Sequence, residues 1–311
     1  MDIVWLLVVG LLLAGWFALD GFSIGAGMVM GALRDDPPAR RRVIAAIGPF
    51  FLANEVWLIA FAGTLAVAFP DTEARLFTSL YPTLVLLIAA WLARDMGMWF
   101  RSRRPGRRWR TRWEAVMAGA SVVFAGAAGL FLGNAVQGPA GSGVWVLNPY
   151  GLLGMLAVVA VFLLHGAAFL VARTHGELRE RARHVAGRVV LPVVVLMVAF
   201  IGTAPLVADD ITPIAFVLGT VAPIAAGVAW YALRKGKDAL TFAATTVATV
   251  AVPFTAGALM AGRILAEAAE PSTLQRITIV LLPALPVLIA GQVILWWIHR
   301  HRLSDRSVTF F

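Results

Sequence analysis

The sequence predicts an all-α, polytopic membrane protein of nine transmembrane helices. Three observations carry that expectation. Hydrophobic residues make up 60% of the 311-residue chain and charged residues only 14%, more apolar surface than a soluble core of this length can bury. The apolar residues gather into nine stretches, each about as long as the 20 residues a helix needs to cross a bilayer. The basic residues collect in alternate connections between those stretches, as topology requires.

The first helix is expected at residues 3–33. It is too long for the apolar part of a signal peptide and is preceded by Asp2 instead of a basic cluster, so it reads as a retained span. Further helices are expected at 44–69, 78–101, 113–133, 150–173, 185–207, 213–233, 238–261 and 272–300, as one transmembrane domain covering 1–311. The connections 102–112 and 134–149 read as the longest loops, the second rich in glycine. Of the 26 basic residues, 22 lie in the loops after helices one, three, five and seven and in the C-terminal tail, Arg34 and Arg306 among them. Only Arg75, Arg263 and Arg276 lie in the opposite loops. The positive-inside rule then puts the N-terminus outside and the C-terminus in the cytoplasm. Phe17-Ala18-Leu19-Asp20-Gly21 in helix one is echoed by Phe162-Leu163-Leu164-His165-Gly166 in helix five. The echo predicts two four-helix halves plus one extra helix, duplication being common in membrane folds.

Composition also excludes functions. The chain has no cysteine, which removes disulfides, zinc–thiolate sites, iron–sulfur clusters and thiol nucleophiles. The net charge of +9 sits in short loops between spans, so it reads as topology signal and headgroup contact, with no nucleic-acid partner. No phosphate-binding loop, nucleophile elbow or zinc-binding HExxH is present.

The ionisable residues inside the spans are Asp20, Glu55, His165 and the pair Arg94-Asp95, and such groups are costly in hydrocarbon. At 1.5 Å per residue, Asp20, Glu55 and His165 lie roughly 20, 16 and 12 Å from the cytoplasmic ends of their helices. Antiparallel helices one and two bring Asp20 and Glu55 to one level, where two carboxyl groups would share one proton. The competing reading is that each carboxyl binds a neighbouring helix, through Asn54 or the indole of Trp57. His165 has no second histidine at ligand spacing and reads as a packing or hydrogen-bonding residue. Arg94 reads as an anchor reaching toward the cytoplasmic surface. Most of the eleven tryptophans, including Trp5, Trp109, Trp113, Trp145, Trp296 and Trp297, are expected at the membrane interfaces. Trp57, Trp91 and Trp99 do not fit that explanation.

Several tracts in order resemble subunit II of the cytochrome bd-type quinol oxidases. They are Asp20-Gly21-Phe22; Gly48-Pro49 with Asn54-Glu55-Val56-Trp57-Leu58 and Ala68-Phe69-Pro70; Tyr81, Arg94 and Arg101; Gly133-Asn134 with Gln137-Gly138; Asn148-Pro149-Tyr150-Gly151-Leu152-Leu153; and Arg173-Thr174 with Gly176-Glu177-Leu178. The last third matches only in hydropathy and Pro271-Ser272. The resemblance implies a bacterial cytoplasmic-membrane oxidase that oxidises membrane quinol, reduces dioxygen to water and generates a proton gradient. It implies that haem b and haem d sit in a partner subunit I, and that this chain ligates neither haem nor metal. This chain would dock and stabilise subunit I, with a small accessory subunit in attendance, and line a proton or oxygen route. Its candidate residues for that route or for partner contact are Asp20, Asn54, Glu55, Trp57, Arg94 and His165. The family's acids are replaced at two positions by Leu52 and Trp99, so either Asp20 and Glu55 suffice with water or protons enter through the partner. From the residues alone, a secondary transporter with a midplane site and a purely structural scaffold remain alternatives.

Overall fold

In the computed structural model, the described residues are 1–33, 36–138, 146–208 and 211–303, which leaves Arg34, Trp145 and Arg306 outside them. They form helices α1 (Asp2–Gly31), α2 (Pro37–Ile47), α3 (Phe51–Ala68), α4 (Pro70–Ser79), α5 (Tyr81–Arg101), α6 (Arg107–Gln137), α7 (Pro149–Arg173), α8 (Gly176–Thr203), α9 (Pro213–Arg234), α10 (Asp238–Ala266), α11 (Pro271–Leu281) and α12 (Ala284–Ile298). A short 3-10 turn, Ala204–Leu206, extends α8. Nine helical stretches among these residues are long and apolar enough to span a membrane: α1, α3, α5 to α10, and α11 with α12.

The bounds differ from expectation where local chemistry intervenes. The second span starts at Phe51, because residues 44–47 finish a separate helix, α2. Pro49 carries no N–H and disfavours a continuous helix through Gly48. Asp36 starts α2 by accepting a hydrogen bond from the Ala39 N–H at 2.9 Å, with Pro37 in the first turn. Residues 70–79, taken partly as loop and partly as the third span, form α4, with Pro70 at its start and Asp71 and Glu73 in its first turn. Helices α6 and α8 begin well before their predicted starts, since arginine is a good helix former and hydropathy marks only the embedded part. The supposed loop residues 107–112 and 134–137 are therefore helical. The ninth span breaks at Leu282-Pro283. Pro192, Pro223 and Pro253, by contrast, lie inside α8, α9 and α10 without ending them.

Helix α1 is central and packs on α3, α6, α7 and α10. Around it, α5 lies on α6, while α8 lies between α7 and α9, and α9 lies on α10. Spans one to four meet spans five to eight where α7 packs on both α6 and α1 and where α10 packs on α1, with α11 touching α3 at the edge. The two echoed tracts meet at that joint. A Cβ on Gly25 would stand 1.8 Å from the Phe162 carbonyl oxygen, and one on Gly166 would stand 2.1 Å from the Ala26 nitrogen, so only glycine permits this crossing. The Phe17 and Phe162 rings meet edge to face at 5.0 Å beside it.

Candidate functional site

Asp20, Glu55 and Arg94 come from three different helices and meet at one buried point. The Arg94 guanidinium donates from Nη1 to Asp20 Oδ1 at 3.1 Å and Oδ2 at 3.0 Å, and from Nη2 to Glu55 Oε1 at 2.8 Å. Its Nε lies 3.4 Å from Asp95 Oδ1. The side chains of Arg94 and Glu55 are each 6% exposed and that of Asp20 is fully buried. Arg94 is therefore no surface anchor. Its planar fork satisfies two carboxylates at once, which a lysine ammonium cannot reproduce. The guanidinium also stands 5.6 Å from the centre of the Phe124 ring.

Helix α1 presents Asp20 on a polar stripe. Four residues before it, Trp16 donates its indole N–H to Asp20 Oδ2 at 3.2 Å. Three residues after it, the Ser23 hydroxyl lies against both the Asp20 carbonyl and Oδ1. This spacing puts all three on one helical face. Sequence reasoning passed over Trp16 and Ser23, although their positions relative to Asp20 carried the signal.

Asn54 does not touch the carboxylates. It donates to the Leu19 carbonyl at 2.6 Å and accepts from Gln292 Nε2 at 2.9 Å, so it ties α3 to α1 and α12. Trp57 does not hydrogen-bond a carboxyl group either. It is 6% exposed, its indole nitrogen has no hydrogen-bond partner among the described residues, and its ring lies over Gly15, where a Cβ would come within 2.0 Å of it. His165 stands apart from the cluster, fully buried between α1 and α10. Its Nδ1 meets Thr245 Oγ1 and its Nε2 meets the Ala18 carbonyl, both at 2.9 Å, and Phe242 stacks on the ring at 5.0 Å. With both nitrogens engaged, the imidazole turns no lone pair toward a haem or metal. Among the described residues no group of three His, Cys, Asp or Glu side chains is placed to hold a metal ion.

A second charged cluster went unread in the sequence. Glu114 sits between Arg40 Nε at 2.9 Å and Arg101 Nε at 2.7 Å, and all three side chains are at most 8% exposed. In the sequence Arg40 falls between predicted spans and Arg101 at the end of the third, so hydropathy marks neither as buried. Trp5 and Trp296, near the ends of their spans, pack within the chain: Trp5 is 1% exposed, and Trp296 packs among Phe22, Phe50 and Phe242. Leu52 and Trp99 point outward, at 50% and 44% exposure, away from the cluster.

The family model described as cytochrome bd terminal oxidase subunit II matches residues 1–299. The chain belongs to the cytochrome bd terminal oxidase subunit II family. The cytochrome bd ubiquinol oxidase subunit 2 of Bacillus subtilis is 29% identical over 327 residues, covering 97% of each chain. The cytochrome bd-I ubiquinol oxidase subunit 2 of Escherichia coli K12 is 34% identical over 192 residues, 58% of this chain and 51% of that one. The bd oxidase of Geobacillus thermodenitrificans shares the fold, with a TM-score of 0.75 over 94% of this chain and 97% of that one, at 15% identity. Membership selects the oxidase reading over the transporter. As a cytochrome bd subunit II, the chain is a multi-pass protein of the bacterial plasma membrane and part of a haem-containing oxidoreductase complex of aerobic respiration.

Proposed function

We propose that this subunit docks and stabilises the haem-carrying subunit I of a quinol:dioxygen oxidase and lends it a buried proton-holding group, the Asp20–Arg94–Glu55 cluster. In this reading haem b, haem d and the oxidation of membrane quinol belong to the partner. The observation that carries the proposal is Arg94 reaching two carboxylates from two other helices at 3.1 Å or less, sealed from lipid. One guanidinium faces the carboxyl groups of Asp20, Glu55 and Asp95. That excess of acid over base suits a cluster that takes up and releases protons.

Docking is supported by the ninth span, where only 6% of the most apolar stretch is buried by the rest of the chain. On α3, Leu52, Val56 and Ile59 form an outward apolar stripe in the same region. Subunit I covers this surface, with membrane quinone and a small accessory subunit as further neighbours, and the N-terminus faces outside. The replacement of Glu55 by Gln tests the proposal. It keeps the shape and one acceptor but removes the titratable group. Oxidase turnover should fall while the complex still copurifies; full turnover with an unchanged haem spectrum would reduce the cluster to helix glue.

A further inference from the structure

The connection between α5 and α6 and the first turns of α6 hold six exposed arginines, Arg103, Arg104, Arg107, Arg108, Arg110 and Arg112, with no acidic residue from Ser102 to Trp113. The nearest carboxylate, Glu114, is already shared by the buried Arg40 and Arg101. Among the described residues, none of the six exposed arginines forms an ion pair. Some arginines in the other basic connections are answered: Arg179 and Arg302 both meet Asp238 at 2.9 Å. Like charges left uncompensated at such density repel one another and call for an external anion.

Aromatic contacts also tie the corner together at the ends of two spans. Trp109 donates its indole N–H to the Phe100 carbonyl at 2.7 Å, so the first turn of α6 is fastened to the last turn of α5. The Trp113 ring lies 5.1 Å from Phe100 and 5.7 Å from Trp109, and Arg104 lies 4.7 Å over the Trp109 ring. Indole rings at the ends of spans sit at headgroup level. The arginines are thereby held where lipid phosphates lie.

We infer that the α5–α6 corner is a binding surface for anionic phospholipid headgroups, selecting phosphatidylglycerol-type lipids over zwitterionic ones. Acidic lipid supplies the phosphate charge, the aromatic rings fix the depth, and the arginine forks hydrogen-bond the phosphate oxygens.

The test uses the assembled oxidase complex in bilayers of phosphatidylcholine mixed equally with phosphatidylglycerol, with spin-labelled lipids reporting relative association. Wild-type complex should prefer phosphatidylglycerol, less so at high salt. One arginine near an anionic leaflet accounts for roughly a fivefold change in partition, so replacing Arg103, Arg104, Arg107 and Arg108 together by Gln should lower the preference at least about fivefold. The same four positions as Lys should stay near wild type, and this variant also guards against loss through misassembly. No lipid preference in the wild type, an undiminished preference in the Gln variant, or an equal loss on changing Arg234, Lys235 and Lys237 to Gln would each overturn the proposal.

Discussion

Gln292 donates its side-chain amide to Asn54 Oδ1 at 2.9 Å, and it is the only buried residue of α12. This outer helix otherwise meets the protein through the partly buried Leu285, Leu288, Leu295 and Trp296, and Gln292 adds a polar tie to that apolar contact. The contact favours one rotation of α12 about its own axis, since turning it away leaves the Gln292 amide and Asn54 Oδ1 without each other in hydrocarbon.

Gln292→Leu should loosen the ninth span. Interhelical hydrogen bonds in membranes average about 0.6 kcal/mol, so the loss in global stability is small. The expected result is a drop of a few degrees at most in the melting temperature of the complex, with faster proteolysis confined to the region after α10. Asn54→Leu should cost more, because Asn54 also holds the Leu19 carbonyl. Equal melting behaviour and proteolysis in wild type and both variants would contradict this.

Arg94→Met should be far more damaging than Glu55→Gln. It strands Asp20 and Glu55 without their counter-charge, and breaking a buried pair from one side costs about 3–5 kcal/mol. The yield of assembled complex is the measurement. Arg94→Lys should recover only part of it, because one ammonium cannot span both carboxylates.

Gly25→Ala should force α1 and α7 apart, because the added methyl falls on the Phe162 carbonyl. Overpacking of this kind costs about 1–3 kcal/mol or more. Gly119→Ala adds the same methyl to α6 where nothing lies within 4 Å, and should be neutral or stabilise by roughly 0.4–1 kcal/mol. Thermal unfolding of the two variants side by side separates a crossing defect from a general intolerance of alanine.

A reporter fused to the C-terminus should be active only if it functions in the cytoplasm, and one fused before α1 only if it functions outside. The 22 basic residues in alternate connections of the sequence predict this orientation. The opposite pattern would move the α5–α6 corner to the outer leaflet.

The sequence by itself determined the number of crossings and where the charges cluster, because a bilayer tests each segment separately for length and apolarity. It also marked Asp20, Glu55 and His165 as groups out of place in hydrocarbon, and its tracts identified the family. Partnership was decided only in three dimensions. That Arg94 turns inward to two carboxylates, that Glu114 unites Arg40 with Arg101, and that Asn54 and Gln292 find each other across 238 positions depends on how helices rotate and pack. Hydropathy carries no information about rotation. A buried polar group announces that it needs a partner, but only the packed bundle names it.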